Sequence, residues 1–151
     1  MVGHSRDLAV EKAGEGYDTA NLWTKDYVLA DQVEKLVVKH NVGGVAAGNA
    51  QANLILGAAG NDIIVGGMGD DVLTGGAGSD LFQFKRGDGA DTVTDLSASD
   101  QIALSGFDFE SFAALKAAMT QKGADVVIDL GSAQSLTLKN VDLGVMVAAI
   151  G

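Results

Sequence analysis

Residues 48–83 repeat with a strict period of nine, and no other feature of the chain restricts its fold so strongly. The units are GNAQANLIL (48–56), GAAGNDIIV (57–65), GGMGDDVLT (66–74) and GGAGSDLFQ (75–83). Glycine opens each unit at Gly48, Gly57, Gly66 and Gly75. Asn53, Asp62, Asp71 and Asp80 hold the sixth position, and Ile55, Ile64, Leu73 and Phe82 the eighth. A nine-residue period with one large apolar residue per unit matches neither an amphipathic helix nor a long strand. It is the pattern of a solenoid in which each unit is one turn and one short strand. The glycine-rich hexad makes the turn, where the backbone needs φ > 0 and must pass close to its neighbours. The last three residues make the strand, and the two-residue period of a strand sends the eighth residue inward.

Successive units supply opposite sides of a flattened coil, so one full turn takes two units. Loop 57–62 is therefore expected to stack on loop 75–80, and loop 48–53 on loop 66–71. An oxygen-rich cleft results between stacked loops, and the G-G-x-G-x-D form is the pattern of a calcium-binding parallel β-helix. Carboxylates would come from Asp62 and Asp80, and from Asp71 with Asn53 as the weaker partner. Backbone carbonyls would come from the turns: Gly57, Ala59 and Gly60; Gly66, Gly67, Met68 and Gly69; Gly75, Gly76, Ala77 and Gly78. Calcium takes six or more oxygens, and two to four ions are expected. A glycine-rich solenoid without metal is the alternative.

These residues resemble the calcium-binding nonapeptides of RTX (repeats-in-toxin, haemolysin-type) proteins. The resemblance implies an all-β fold, a calcium-binding parallel β-roll (β-solenoid), on a protein secreted by a Gram-negative bacterium through type I export machinery. The first unit departs from the pattern, with Ala52 and Asn53 in the fifth and sixth places, so its ion would be the weakest. Residues 17–38 are similar to the strand-rich segment that precedes the repeats in such proteins, through Asp18-Thr19-Ala20, Tyr27-Val28-Leu29 and Val33-Glu34-Lys35-Leu36. They read as degenerate coils capping the upstream end, since a terminal repeat must not leave an apolar face in water. Downstream, Gly87, Asp88, Gly89 and Asp91 resemble a relaxed further turn. The string DTVTDLSASDQIALSG (91–106) resembles the segment that closes the roll in RTX metalloproteases, which implies that Asp95 and Asp100 help to bind the last ion; capping of the turn Ser97-Ala98-Ser99 is the other reading.

Composition fits an exported domain. A length of 151 residues gives the prior of one domain, divided into upstream coils (1–47), repeats (48–94) and a carboxyl-terminal cap (95–151). In the cap, residues 108–122 read as a helix with Asp108 as N-cap and an apolar stripe of Phe109, Phe112, Leu115 or Lys116, and Met119, lying against the open end of the solenoid. Residues 124–130 and 135–141 alternate as the strands of a hairpin that completes the cap. Cysteine is absent, which excludes disulfides and thiolate metal sites and leaves metal ions as the natural staple. The formal charge of −10 argues against nucleic acid or an anionic membrane as partner. No run of eighteen apolar residues exists, so no membrane-spanning helix is expected. The sequence begins without the apolar run of a secretory signal peptide, so the export address lies at the other end or the chain is part of a longer protein. The apolar extreme carboxyl terminus, DLGVMVAAIG, is similar to an uncleaved type I secretion signal, though strand packing also favours such residues.

Catalysis finds little support. The two histidines, His4 and His40, have no sequence partner suggesting a nucleophile or zinc site. The close acidic pairs, such as Asp70 and Asp71, fall in the turn register, and no glycine loop leads into Lys-Ser/Thr. Tyr17, Trp23 and Tyr27 are the only Tyr and Trp residues and cluster upstream. They are either the packing of the upstream cap or a platform on which sugars stack, and with Lys35, Lys39, Lys85 and Arg86 they would suit an acidic extracellular polysaccharide. A monomer is expected.

Overall fold

The computed structural model describes residues 16–23 and 25–144; His4, Asp7, Glu11, Glu15 and the apolar run beyond Gly144 lie outside the described residues. Its centre is the repeat itself. Each unit contributes a three-residue strand, β5 (Leu54–Leu56), β6 (Ile63–Val65) and β7 (Val72–Thr74), and the fourth unit opens β8 (Leu81–Lys85). The two-residue period places Ile55, Ile64, Leu73 and Phe82 at 0% exposure, while their strand neighbours are at least partly accessible. Removing one such side chain from water contributes about 1.5–3 kcal/mol, so these four are the spine of the core.

From β1 to β10, odd strands build one sheet and even strands the other. The five-stranded sheet runs β10-β8-β6-β4-β2, with β2 (Asp26–Val28), β4 (Val45–Ala47) and β10 (Gln101–Ser105). The eight-stranded sheet, with β1 (Thr19–Leu22), β3 (Lys35–Val38), β9 (Ala90–Val93), β11 (Met119–Lys122), β12 (Asp125–Gly131) and β13 (Gln134–Leu138), runs β1-β3-β5-β7-β9-β13-β12-β11. Pairing between coils is parallel. Ile55 faces Leu73 and Ile64 faces Phe82, so the loops stack in the order the eighteen-residue spacing requires. Upstream, β1 to β4 continue both sheets. Downstream the spacing opens to twenty residues, with Val72 facing Thr92 and Leu81 facing Gln101.

The cap departs from the sequence expectation. The helix is α1 (Phe112–Ala117), capped by Ser111, whose side chain accepts the Ala114 N–H. It does not extend over 108–122. Asp108 instead pairs with Arg86 at 2.6 Å, and residues 119–122 are β11 (Met119–Lys122), antiparallel to β12 (Asp125–Gly131) around Gly123. Sheet hydrogen bonds to β12 therefore override helical periodicity beyond Ala118. The apolar stripe changes with it: no helix residue is buried, Phe112 is exposed, Leu115 is half-buried, and Met119 reaches the core from a strand. The expected hairpin is present as β12 and β13 (Gln134–Leu138), turning through Ser132 and Ala133 at φ 52° and 62°. β13 also pairs in parallel with β9, so the hairpin extends the solenoid sheet itself.

Candidate metal centre

The glycine-rich turns stack into two columns, and the sixth-place side chain of each nonapeptide is buried there: Asp62 and Asp80 in one column, Asn53 and Asp71 in the other. Asp62, Asp71 and Asp80 are 2%, 1% and 1% exposed. One oxygen of each is used in the same way: it accepts the backbone N–H of the residue one full turn upstream. Gly44 N–H donates to Asp62 Oδ1 at 3.0 Å, Asp62 N–H to Asp80 Oδ1 at 2.9 Å, and Asn53 N–H to Asp71 Oδ1 at 2.7 Å. The other oxygen, Oδ2, is buried in all three and has no hydrogen-bond partner. Buried charge without a partner is costly, so three carboxylates in register with an unsatisfied oxygen either take up a proton or are met by a cation.

The electrostatics say the same. Burial pushes the Asp71 carboxyl up to about 6, against the Asn53 N–H, with Asp88 and Asp70 repelling it further. Burial also raises Asp80, opposed by the Asp62 N–H and aided by Asp100, Asp62 and Asp95. Asp62 rises through burial too, offset by the N–H groups of Ala58 and Gly44 and by nearby His40. Without a counter-ion the turns resist ionisation.

Glycine keeps room for this arrangement. A Cβ at Gly66 would strike Asp71 Oδ2, and one at Gly75 would strike Asp80 Oδ2. Among the described residues no three carboxylates or imidazoles converge, so most donors in such a cradle must be backbone carbonyls. The turns supply them in close layers: Ala59 bridges Ala77, Gly60 N–H donates to the Ala77 carbonyl at 2.7 Å, and Ala77 N–H to the Ala58 carbonyl at 2.8 Å. On the other column Met68 N–H donates to the Asn49 carbonyl at 3.1 Å, while the Met68 side chain projects into solvent. Gly57, Gly67, Gly69, Gly76 and Gly78 lie in these same layers against carbonyls of the adjoining loop. Hard oxygen donors, a buried acid per layer and no sulfur fit calcium.

Asn53 stands in the column but has no unpartnered oxygen. Its Oδ1 accepts the Asn49 N–H at 2.8 Å and its amide nitrogen donates to the Val33 carbonyl at 3.2 Å. Asp95 receives Gly75 and Gly76 N–H on its two oxygens, and Asp100 receives Asp80 and Ser97 N–H. Both join the stack through backbone donors, one N–H on each oxygen, which leaves each oxygen a further lone pair.

Two further acids belong to the site, and the nine-residue pattern does not mark them as ligands. Asp91 Oδ1 accepts the Asp71 N–H at 3.0 Å, and burial pushes its carboxyl up to about 7, despite that bond and with help from Asp71, Asp88 and Asp70. Asp88 is 3% exposed with Oδ1 unpartnered. Loop 86–91 thus stacks on loop 66–71, joined by Gly69 N–H to the Asp88 carbonyl at 2.6 Å. Counting twenty residues from Asp71 instead of eighteen would have found Asp91.

Residues 47–82 match the family model for the RTX calcium-binding nonapeptide repeat, in four copies. The chain carries RTX calcium-binding repeats. The chain is 43% identical over 150 residues to endo-1,3-1,4-beta-glycanase EglC of Rhizobium meliloti (strain 1021), covering 93% of this chain and 32% of that protein. It is 42% identical over 136 residues to endo-1,3-1,4-beta-glycanase ExsH of the same strain, covering 90% and 29%. It therefore spans about a third of the length of these curated relatives. The crystal structure of the extracellular lipase LipA from Serratia marcescens matches with a TM-score of 0.54 at 24% identity, over 85% of this chain and 18% of that one. That likeness concerns the fold, a β-roll.

Outside the RTX turns, the aromatic cluster divides. Tyr17 and Trp23 are 64% and 54% exposed, whereas Tyr27 packs partly against the core. Among the described residues no helix is long and apolar enough to cross a membrane.

Proposed function

We propose that the chain is a calcium-switched folding module, acting as one unit at the carboxyl end of a secreted bacterial protein. One observation carries this reading: Asp62, Asp71 and Asp80 are buried in register, each with an oxygen that nothing among the described residues satisfies. Where calcium is scarce these acids oppose folding, which suits passage through type I export machinery of a Gram-negative cell. Outside, calcium would be held by Asp62, Asp71 and Asp80 and by carbonyls of the stacked turns. With dissociation constants on the order of 10⁻⁴ M and external calcium about tenfold higher, each ion contributes roughly 1.4 kcal/mol. Two to four ions then contribute roughly 3–6 kcal/mol, comparable to the net stability of a small domain. The module itself is non-catalytic, and its parent protein would be a glycan-cleaving enzyme, a reading supported by the two glycanase relatives.

A calcium titration followed by far-UV circular dichroism tests this. The expected outcome is a coil-to-β transition near millimolar calcium, shifted upward in Asp62→Ala and Asp80→Ala. A spectrum indifferent to calcium and to chelator would leave a self-sufficient solenoid and end the proposal.

The exposure of Tyr17 and Trp23 favours a second role, binding of an extracellular polysaccharide. Intrinsic fluorescence of Trp23 during titration with a β-1,3-1,4-glucan checks it. An unmoved emission spectrum would remove this role and leave the first intact.

A further inference from the structure

His40 stands at the upstream mouth of the column that contains Asp62 and Asp80. Its loop, residues 39–44, lies one layer above loop 57–62. Val45 faces Ile63 across β4 and β6, Ile63 N–H reaches the Gly44 carbonyl at 2.8 Å, and a Cβ on Gly60 would lie 3.1 Å from the Asn41 carbonyl. This layer differs from those below in two linked ways. Gly44 takes the place that Asp62 and Asp80 hold further down, so the layer brings no carboxylate of its own. At the second place of the turn, where the lower layers carry Ala58 and Gly76, it brings an imidazole.

Both ring nitrogens of His40 are buried and lack a hydrogen-bond partner, as does Asp62 Oδ2 in the layer beneath. A neutral imidazole carries one N–H donor and one lone-pair acceptor, and a buried polar atom left unpaired forfeits its solvation with nothing in return. No partner for them exists among the described residues, and a bound ion or water would supply one. Calcium answers an all-oxygen turn poorly once a nitrogen replaces one of its donors, whereas zinc, cobalt, nickel and copper take imidazole readily. We propose that His40 and Asp62 hold a divalent transition ion of the zinc class at the head of this column, with loop carbonyls and water completing its coordination. The site is distinct in chemistry from the calcium turns below it and shares Asp62 with them.

The test uses the full chain saturated with calcium, titrated with Co²⁺ for its visible absorption and with Zn²⁺ by calorimetry. One equivalent should bind, with a cobalt spectrum showing nitrogen ligation. His40→Gln should weaken it by at least about tenfold, the loss that even a supporting partner of a metal ligand produces. His4→Ala, which removes the other histidine, should leave it unchanged. Calcium-induced β signal in His40→Gln reports that this variant still folds; should it not, the ring ¹⁵N resonances of His40 in the unaltered chain decide, and they should shift with Zn²⁺. Equal cobalt binding in His40→Gln, loss of binding in His4→Ala, or unmoved His40 resonances would overturn the assignment.

Discussion

Asp71→Asn should change the stability of this protein in opposite directions with and without calcium. The substitution is sterically mild, since Asn53 occupies the equivalent place one layer upstream, and an amide oxygen can still accept the Asn53 N–H that Asp71 Oδ1 accepts at 2.7 Å. What changes is the charge. The Asp71 carboxyl stands at about 6 instead of 3.8, and at about 1.4 kcal/mol for each tenfold change in proton affinity this withholds about 3 kcal/mol from the ion-free fold at neutral pH. Water reaching the loop edge reduces the figure to about 2 kcal/mol. An uncharged amide in this place never bears that cost, so in chelator the variant should be the more stable by about 2 kcal/mol.

In calcium the order reverses. Asp71 faces Asn53 above and Asp91 below, so its loss weakens one ion or two. Each lost ion removes about 1.4 kcal/mol from the stability gained per tenfold rise in calcium. Plotted against log calcium, the line for the variant starts higher, climbs less steeply and crosses that of the unaltered chain. Urea unfolding at several free-calcium levels measures both lines, provided the urea dependence itself is unchanged. Where the ion-free chain is too unfolded to measure, trimethylamine N-oxide favours the compact form enough to bring it into range. A variant that is less stable at both extremes, or more stable at both, would refute the view that Asp71 is a calcium-dependent charge.

Two further outcomes follow from the same turns. In chelator, Asp91 at about 7 and Asp71 at about 6 both lie above the ordinary 3.8; a raised carboxyl stabilises the fold below the unfolded value and loses that effect as pH rises through the folded one. Circular dichroism should therefore show more β-structure in the ion-free chain at about pH 5 than at about pH 8, and calcium should bind more weakly at the lower pH, where protons compete for the same oxygens. Gly67 and Gly87 share a φ of 104°, but a Cβ at Gly67 would meet the Asn49 carbonyl while one at Gly87 meets nothing within 4 Å. Gly87→Ala should cost only the backbone strain of about 1–3 kcal/mol, and Gly67→Ala clearly more by thermal unfolding; equal losses would show that layer spacing is not tight.

The parts of this fold that sequence reveals are those where one residue has one task. Ile55, Ile64, Leu73 and Phe82 recur at nine residues because every turn has the same core place to fill, and Asp62 and Asp80 recur because every loop stacks on one eighteen residues away. Periodicity carries both. It fails once the spacing widens: Asp91 performs the task of Asp71 one layer down, yet two inserted residues conceal it from a nine-residue count. Resemblance places Asp95 and Asp100 near the last turn as ion ligands or turn caps; their oxygens each accept one backbone N–H, and the sequence does not foretell those bonds.

The cap shows a different limit. Residues 108–122 have a helical stripe, and local preference alone would extend the helix to Lys122. The chain has instead a sheet to finish. Val93 ends the repeat side of β9, and an uncovered parallel edge there would expose both its backbone groups and the core beneath. β13 covers that edge in parallel register, bringing Leu138 beside Val93 and Leu136 beside Asp91. β12 then pairs with β13, and Met119–Lys122 is drawn into strand because β12 has a second edge to satisfy. Each step is set by the edge left open by the preceding one, and no window of fifteen residues contains that information. The same closure places β13 directly after the layer that holds Asp88 and Asp91. The turn that holds Asp88 and Asp91 is therefore also the one on which the cap is seated, so neutralising its acids should favour docking of the cap.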